Sequence, residues 1–163
     1  MKLSALKRKS IYETLAWIIA TWFGSGCSPK APGTIGSFCS LPLVLIGLIW
    51  GQLALGYTIL GLFLVGWLAT ATVLKTQKEQ DPGFVVIDET VGQTMTFLLA
   101  LGGRFAWYDI LIGFALFRLF DIIKLWPASF FDRKVHTAFG VMMDDVIAGG
   151  YASLILYGLT FLI

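Results

Sequence analysis

An all-α, multi-pass membrane protein is what this sequence predicts, and three observations carry the prediction. The forty-four residues between Lys30 and Lys75 bear no charge, room for two spans of about 20 residues each. Eighteen more, Val146 to Ile163, are equally uncharged. The hydrophobic fraction is 57% and mean hydropathy +0.80, above the roughly 45–50% apolar content of ordinary globular chains. A soluble helical protein with a large core is the rival reading, but uncharged runs of this length belong to membranes. No strand-like alternation and no internal repeat competes. The 163 residues read as one domain, with an N-terminal interfacial helix over 1–23 and a helical core over 24–163.

About six helical segments follow in order. The first, about 10–23, offers some thirteen apolar residues, too few to span, so it is expected at the interface or against the bundle. The second runs from about Ser37 to Trp50 and is broken by Gly51-Gln52. The third, about Leu53 to Leu74, is the clearest span. The fourth covers about Glu89 to Leu101, the fifth about Trp107 to Lys124, and the sixth about Asp145 to Ile163.

The bases suggest an orientation. If segment one returns without crossing, segments two to six alternate out, in, out, in and out. Lys2, Lys7, Arg8, Lys9, Lys30, Lys75, Lys78, Arg118, Lys124, Arg133 and Lys134 then collect at the inner ends, and only Arg104 at an outer turn. Such a bias puts the inner ends in the cytoplasm. The same topology gathers Asp81, Asp88, Glu89, Asp121, Asp132, Asp144 and Asp145 on that side, which argues for a single cytoplasmic site.

Other classes are poorly supported. A net charge of +2, with no basic stripe interleaved with aromatics, gives no reason to expect a nucleic-acid partner. Cys27 and Cys39 lack CxxC spacing and read as free thiols of a reducing compartment. The basic start followed by Ile11–Phe23 imitates a signal peptide, but Glu13 interrupts its apolar core and no cleavage is expected.

Chemistry concentrates in three pieces. The stretch from Arg118 to Asp145 holds four of the ten acids and the only histidine. Arg118, Asp121 and Lys124 recur at three-residue intervals and share a broad helix face. Asp121 could ligate a metal while the bases neutralise phosphate oxygens, although a surface ion-pair ladder gives the same spacing. Asp144-Asp145 is read as an acid pair at a helix start, with Gly149 allowing a neighbouring helix to approach. His136 could act as general acid or orient water, or be structural. The second piece, Asp88-Glu89 with Gly92, also opens a helix. Adjacent helical residues point about 100° apart, so one acid is expected to ligate and the other to cap or support. The third is the Gly24–Ser37 stretch, whose Ser25, Lys30 and Thr34 suit a phosphate or make a plain turn. Two carboxylates about 4 Å apart repel by roughly 4 kcal/mol at an effective dielectric of 20, so a site with several needs a cation. Oxygen donors without cysteine favour Mg²⁺.

Taken together these pieces resemble the phosphatidylglycerophosphatase A family. The resemblance rests on Phe23-Gly24-Ser25-Gly26, Ser28-Pro29, Pro32-Gly33-Thr34 and Gly36-Ser37; on Asp88-Glu89 with Gly92; on Phe117-Arg118, Asp121, Lys124 and Trp126-Pro127; on Phe131-Asp132-Arg133 with His136; and on Asp144-Asp145 with Ala148-Gly149. It implies a bundle of about six helices around a central one, in the bacterial inner membrane. It also implies a Mg²⁺-dependent phosphatase that converts phosphatidylglycerol phosphate to phosphatidylglycerol. Within that frame Asp88, Glu89, Asp121, Asp144 and Asp145 are the expected metal ligands and catalytic acids, with His136 beside them. Ser25, Lys30, Thr34, Arg118, Lys124 and Arg133 are the expected phosphate binders, and a metal-activated water is the expected attacking group.

The sequence lacks DxDx[TV], Cys-x5-Arg and a paired-histidine signature. A phosphotransferase acting on CDP-activated lipids would need a contiguous D-x2-D-G-x2-A-R run, which is absent. A transporter or non-catalytic scaffold is the other alternative, but transporters place ionisable groups at mid-bilayer within broken helices.

Overall fold

The computed structural model describes residues 10–77, 82–103 and 105–161, and these contain seven helices and no strand. Lys2, Lys7, Arg8, Lys9, Lys78, Asp81 and Arg104 of the orientation argument lie outside the described residues. Helix α1 spans Ile11–Ala20, where Glu13 accepts the Ser10 N–H at 3.1 Å and so caps the first turn. Helix α2 spans Pro32–Trp50, with a 3₁₀ turn at Leu41–Leu43. Pro42 sits in that turn because it has no N–H to give the preceding carbonyls. Helices α3 (Gln52–Thr76), α4 (Ile87–Thr96), α5 (Trp107–Ile123), α6 (Ala128–Lys134) and α7 (Ala138–Leu159) complete the bundle.

Three of these, α2, α3 and α7, are long and apolar enough to cross a membrane. On α3, Leu53, Tyr57, Leu60, Leu64 and Leu68 form an exposed apolar stripe at helical spacing. Such a face suits lipid, not water.

Helix α4 is shorter than the expected fourth segment. Ten residues rise only about 15 Å, half a hydrocarbon core, so it is no span. It is instead the enclosed helix, buried along most of its length and packed by α2, α3, α5 and α7. Its polar residues Thr90, Gln93, Thr94 and Thr96 are nonetheless within the protein interior. The chain after α4 continues through a 3₁₀ turn at Ala100–Gly102 to the other end of the bundle, where the Leu98 carbonyl accepts from Gln52 at the start of α3 at 2.7 Å, so segments four to six run away, back and away as expected.

Two boundaries also moved. Helix α2 begins at Pro32, not Ser37, because proline at the first helical position is preorganised for a helix and its missing N–H costs nothing there. Helix α7 begins at Ala138, capped by Thr137, which accepts the Gly140 N–H at 3.3 Å. Asp144 and Asp145 therefore sit in its second turn, not at its start, because they turn inward and do not stop the helix. The short α6 was not expected.

Candidate active site

A cavity of about 330 Å³ opens where the start of α2, the start of α4, the end of α5, α6 and the first half of α7 meet. Two glycine positions make this convergence possible. A Cβ on Gly149 would collide with the Gly92 carbonyl, and one on Gly92 would lie 2.5 Å from the Asp145 carbonyl and the Phe117 ring. Without side chains there, α4 and α7 touch backbone to backbone, and Asp88, Glu89 and Asp145 come together.

Those three carboxylates each offer an oxygen, and the three oxygens lie within 4.8 Å of one another. Asp145 is buried, with the carboxylates of Asp121 and Asp88 facing it. Both members of the first acid pair thus reach the same point, contrary to the expectation that only one would. Asp88 also accepts the Glu89 N–H at 3.0 Å, and the longer glutamate curls back from the next position. The second pair does divide. Asp145 joins the triad, whereas Asp144 turns away, its Oδ1 accepting the Asp145 N–H at 3.0 Å and its Oδ2 contacting Lys124.

Two cations hold the walls. Arg118 contacts Asp121 at 2.6 Å and Glu89 at 4.0 Å, and it donates to Ser37 Oγ at 3.4 Å. It ties α5 to α4 and α2. The ion pair at i,i+3 predicted from spacing is real, but it lines the cavity and is not a surface ladder. Lys124 Nζ lies 2.6 Å from both Asp132 Oδ1 and Asp144 Oδ2, joining α5, α6 and α7. Burial opposes its charge, but the hydrogen bonds to those two carboxylates outweigh it and raise its pKa. Glu89 moves the other way in charge: burial first, then the charge of Asp145, push it up to about 8, against the lowering pull of Asp88 and Arg118.

The family model for Phosphatidylglycerophosphatase A matches residues 18–160. The chain belongs to that family. It is 39% identical over 142 residues to Phosphatidylglycerophosphatase A of Escherichia coli (strain K12), covering 86% of this chain and 80% of the relative. Against Phosphatidylglycerophosphatase A of Haemophilus influenzae the identity is 37% over 158 residues, 96% and 94% of the two chains. A Bacteroides thetaiotaomicron protein provisionally named a phosphatidylinositol-3-phosphatase is 37% identical over 163 residues, 93% and 95% of the two. No solved structure matches. As a member of the phosphatidylglycerophosphatase A family the chain is an enzyme, a phosphoric monoester hydrolase.

Within this family member, the cavity brings together Asp88, Glu89, Asp121, Asp144 and Asp145, and with them Arg118, Lys124, Thr34 and His136. Ser25, Lys30 and Arg133 do not line it. Ser25 donates to the Thr21 carbonyl at 3.2 Å and closes the end of α1, while Lys30 and Arg133 are exposed. The Gly24–Cys27 turn is a packing device: a Cβ on Gly26 would strike the Phe84 carbonyl. Asp132 and Gly33 line the cavity but were absent from the expected site, as was Ser37, which accepts from Arg118. Asp132 follows Lys124 by eight residues across a turn, so no periodicity linked them. Gly33 was legible only as a loop glycine, yet a Cβ there would collide with Glu89 Oε1.

The donor set suits a hard divalent cation. It is all oxygen, and Glu89 Oε2 is buried without a hydrogen-bond partner among the described residues. Cys27 and Cys39 are exposed, unpaired and outside the cavity lining.

Proposed function

We propose that this chain is a Mg²⁺-dependent lipid phosphatase. It hydrolyses phosphatidylglycerol phosphate to phosphatidylglycerol and inorganic phosphate, from the cytoplasmic face of a bacterial inner membrane. One observation carries the reading: three carboxylates converge on a point beside two fixed cations, inside a cavity at one end of the apolar helices. The names of the bacterial relatives supply the substrate.

Asp88, Glu89 and Asp145 would hold the ion, with Asp121 behind them. A divalent ion there would act as Lewis acid and lower the pKa of a water nucleophile. The remaining roles fall to the chain itself. Arg118, held by Asp121, presents its guanidinium to phosphate oxygens in a planar fork. The Lys124 ammonium has three donors, two of them engaged by Asp132 and Asp144, which leaves one for an anion. The N-terminal turn of α2, at Pro32–Thr34, adds backbone N–H groups and the positive end of a helix dipole. Water adds to phosphorus, the bond to the glycerol oxygen breaks, and the leaving oxygen takes up a proton. His136, exposed at the cavity wall, is the residue assigned to give it.

Orientation rests on the bases. Lys30 precedes α2, Lys75 ends α3, and Arg133 and Lys134 end α6, all next to helix ends on the cavity side or leading into it. The substrate phosphate then stays in the headgroup layer while its acyl chains remain in lipid.

The test is phosphate release from phosphatidylglycerol phosphate in mixed micelles, with Mg²⁺ and with EDTA. Phosphatidic acid and phosphatidylinositol 3-phosphate serve as competing substrates. Release that requires Mg²⁺ and favours phosphatidylglycerol phosphate is expected. Full turnover in EDTA, or no turnover of this lipid under any condition, refutes the proposal.

A further inference from the structure

We propose that the acid cluster accepts one exchangeable divalent cation only, and that the Lys124 ammonium is a built-in second cation standing where another metal would bind. This rests on the divalent-cation reading above and adds its stoichiometry.

Five of the six carboxylates around the cavity fall into two sets, and the sixth, Asp121, pairs with Arg118. Asp88, Glu89 and Asp145 share one point, with their oxygens within 4.8 Å. Asp132 and Asp144 share another, and it is filled: Lys124 Nζ lies 2.6 Å from an oxygen of each. The neighbours Asp144 and Asp145 divide between the sets because consecutive helical side chains point about 100° apart. The first set keeps a buried oxygen without a partner, Glu89 Oε2, whereas Asp132 and Asp144 are each bound to the ammonium.

The backbone is committed to this placement. Lys124 closes α5 with φ +49° and ψ +64°, the left-handed region that residues other than glycine seldom adopt. Such a conformation persists where surrounding contacts over-determine it. Here the contacts are two charge-assisted hydrogen bonds reaching α6 and α7. A second divalent ion would have to displace the ammonium or sit against it, and like charges exclude each other at that range. Many phosphoryl-transfer sites place two metals side by side. This one would place a metal and a lysine, with a total charge of three across the phosphate.

The experiment is Mn²⁺ titration of the full-length protein in detergent, with free ion read by electron paramagnetic resonance. The wild type is expected to bind one Mn²⁺ per chain, K124R one, and K124M two, the second more weakly. Asp132→Asn is expected to keep one, since Asp132 serves the lysine and not the metal. Two ions in the wild type, one ion in a folded K124M, or none in Asp132→Asn overturns the proposal. Should K124M not fold, the wild-type and Asp132→Asn counts still decide. No binding in the wild type would overturn the divalent-cation reading itself, an outcome distinct from a count of two.

Discussion

The Gly149 Cα faces the Gly92 carbonyl so closely that a Cβ on Gly149 would overlap it. That single contact sets how near α7 lies to α4, and therefore whether Asp145 can reach Asp88 and Glu89. Backbone cannot yield as a flexible side chain can. Gly149→Ala is accordingly expected to destabilise the fold by about 1–3 kcal/mol, as overpacking does, and to weaken metal binding with it. Thermal unfolding in detergent, beside Mn²⁺ titration, checks both. A fully stable variant with unchanged Mn²⁺ affinity would show that the contact does not position the acids.

Removing one charge from the triad has a different signature. Asp145→Asn keeps the shape and loses the ligand, so phosphate release should fall by about 10²-fold or more while the protein stays folded. Asp121→Asn should do the same through two routes, since Asp121 both faces Asp145 and fixes Arg118. Activity of either variant near the wild-type level would exclude these carboxylates from the chemistry.

Arg118 makes contacts with three elements, which a lysine could not reproduce. Arg118→Lys retains the charge but loses the fork that meets Asp121, Glu89 and Ser37. The expected result is a rise in KM of roughly tenfold, equivalent to about 1.4 kcal/mol, with kcat reduced as well. Steady-state kinetics on the lipid substrate measures it, and wild-type constants would refute the role.

Glu89 gives the metal-free protein a defined pH dependence. Its pKa is about 8 in the fold against an ordinary 4.5, so between those values the folded state holds a proton that the unfolded state has released. This group's contribution to stability is then fully present below about pH 4.5 and is lost as pH rises toward 8. In EDTA, wild-type stability should fall across that window, and Glu89→Gln should fall less. Mg²⁺ should restore wild-type stability at pH 8 by displacing the proton. Identical pH profiles for the two proteins would contradict the assignment.

The candidate site was more legible than the helix boundaries around it. Asp88, Glu89, Asp121 and Asp145 could be named from composition because acids are scarce in this chain and stand beside long apolar runs, where each needs a partner. Ser25 and Lys30 were plausible phosphate binders for an equally simple reason, but the turn that carries Ser25 closes against Phe84, and Lys30 is exposed outside the cavity lining. Glycine and serine at a turn have the same appearance in sequence whether they bind a ligand or pack against backbone.

By itself the sequence determined the class: helices, with uncharged apolar runs long enough to span among them, and one end rich in charge. Hydropathy and charge act residue by residue, so they can be read in order along the chain. Only the tertiary structure decided that α4 is short and enclosed, that Asp144 serves Lys124 while Asp145 joins the triad, and that Asp132 belongs to the cavity wall. Those outcomes depend on side-chain direction and on how closely two backbones approach, quantities set by packing between residues distant in sequence.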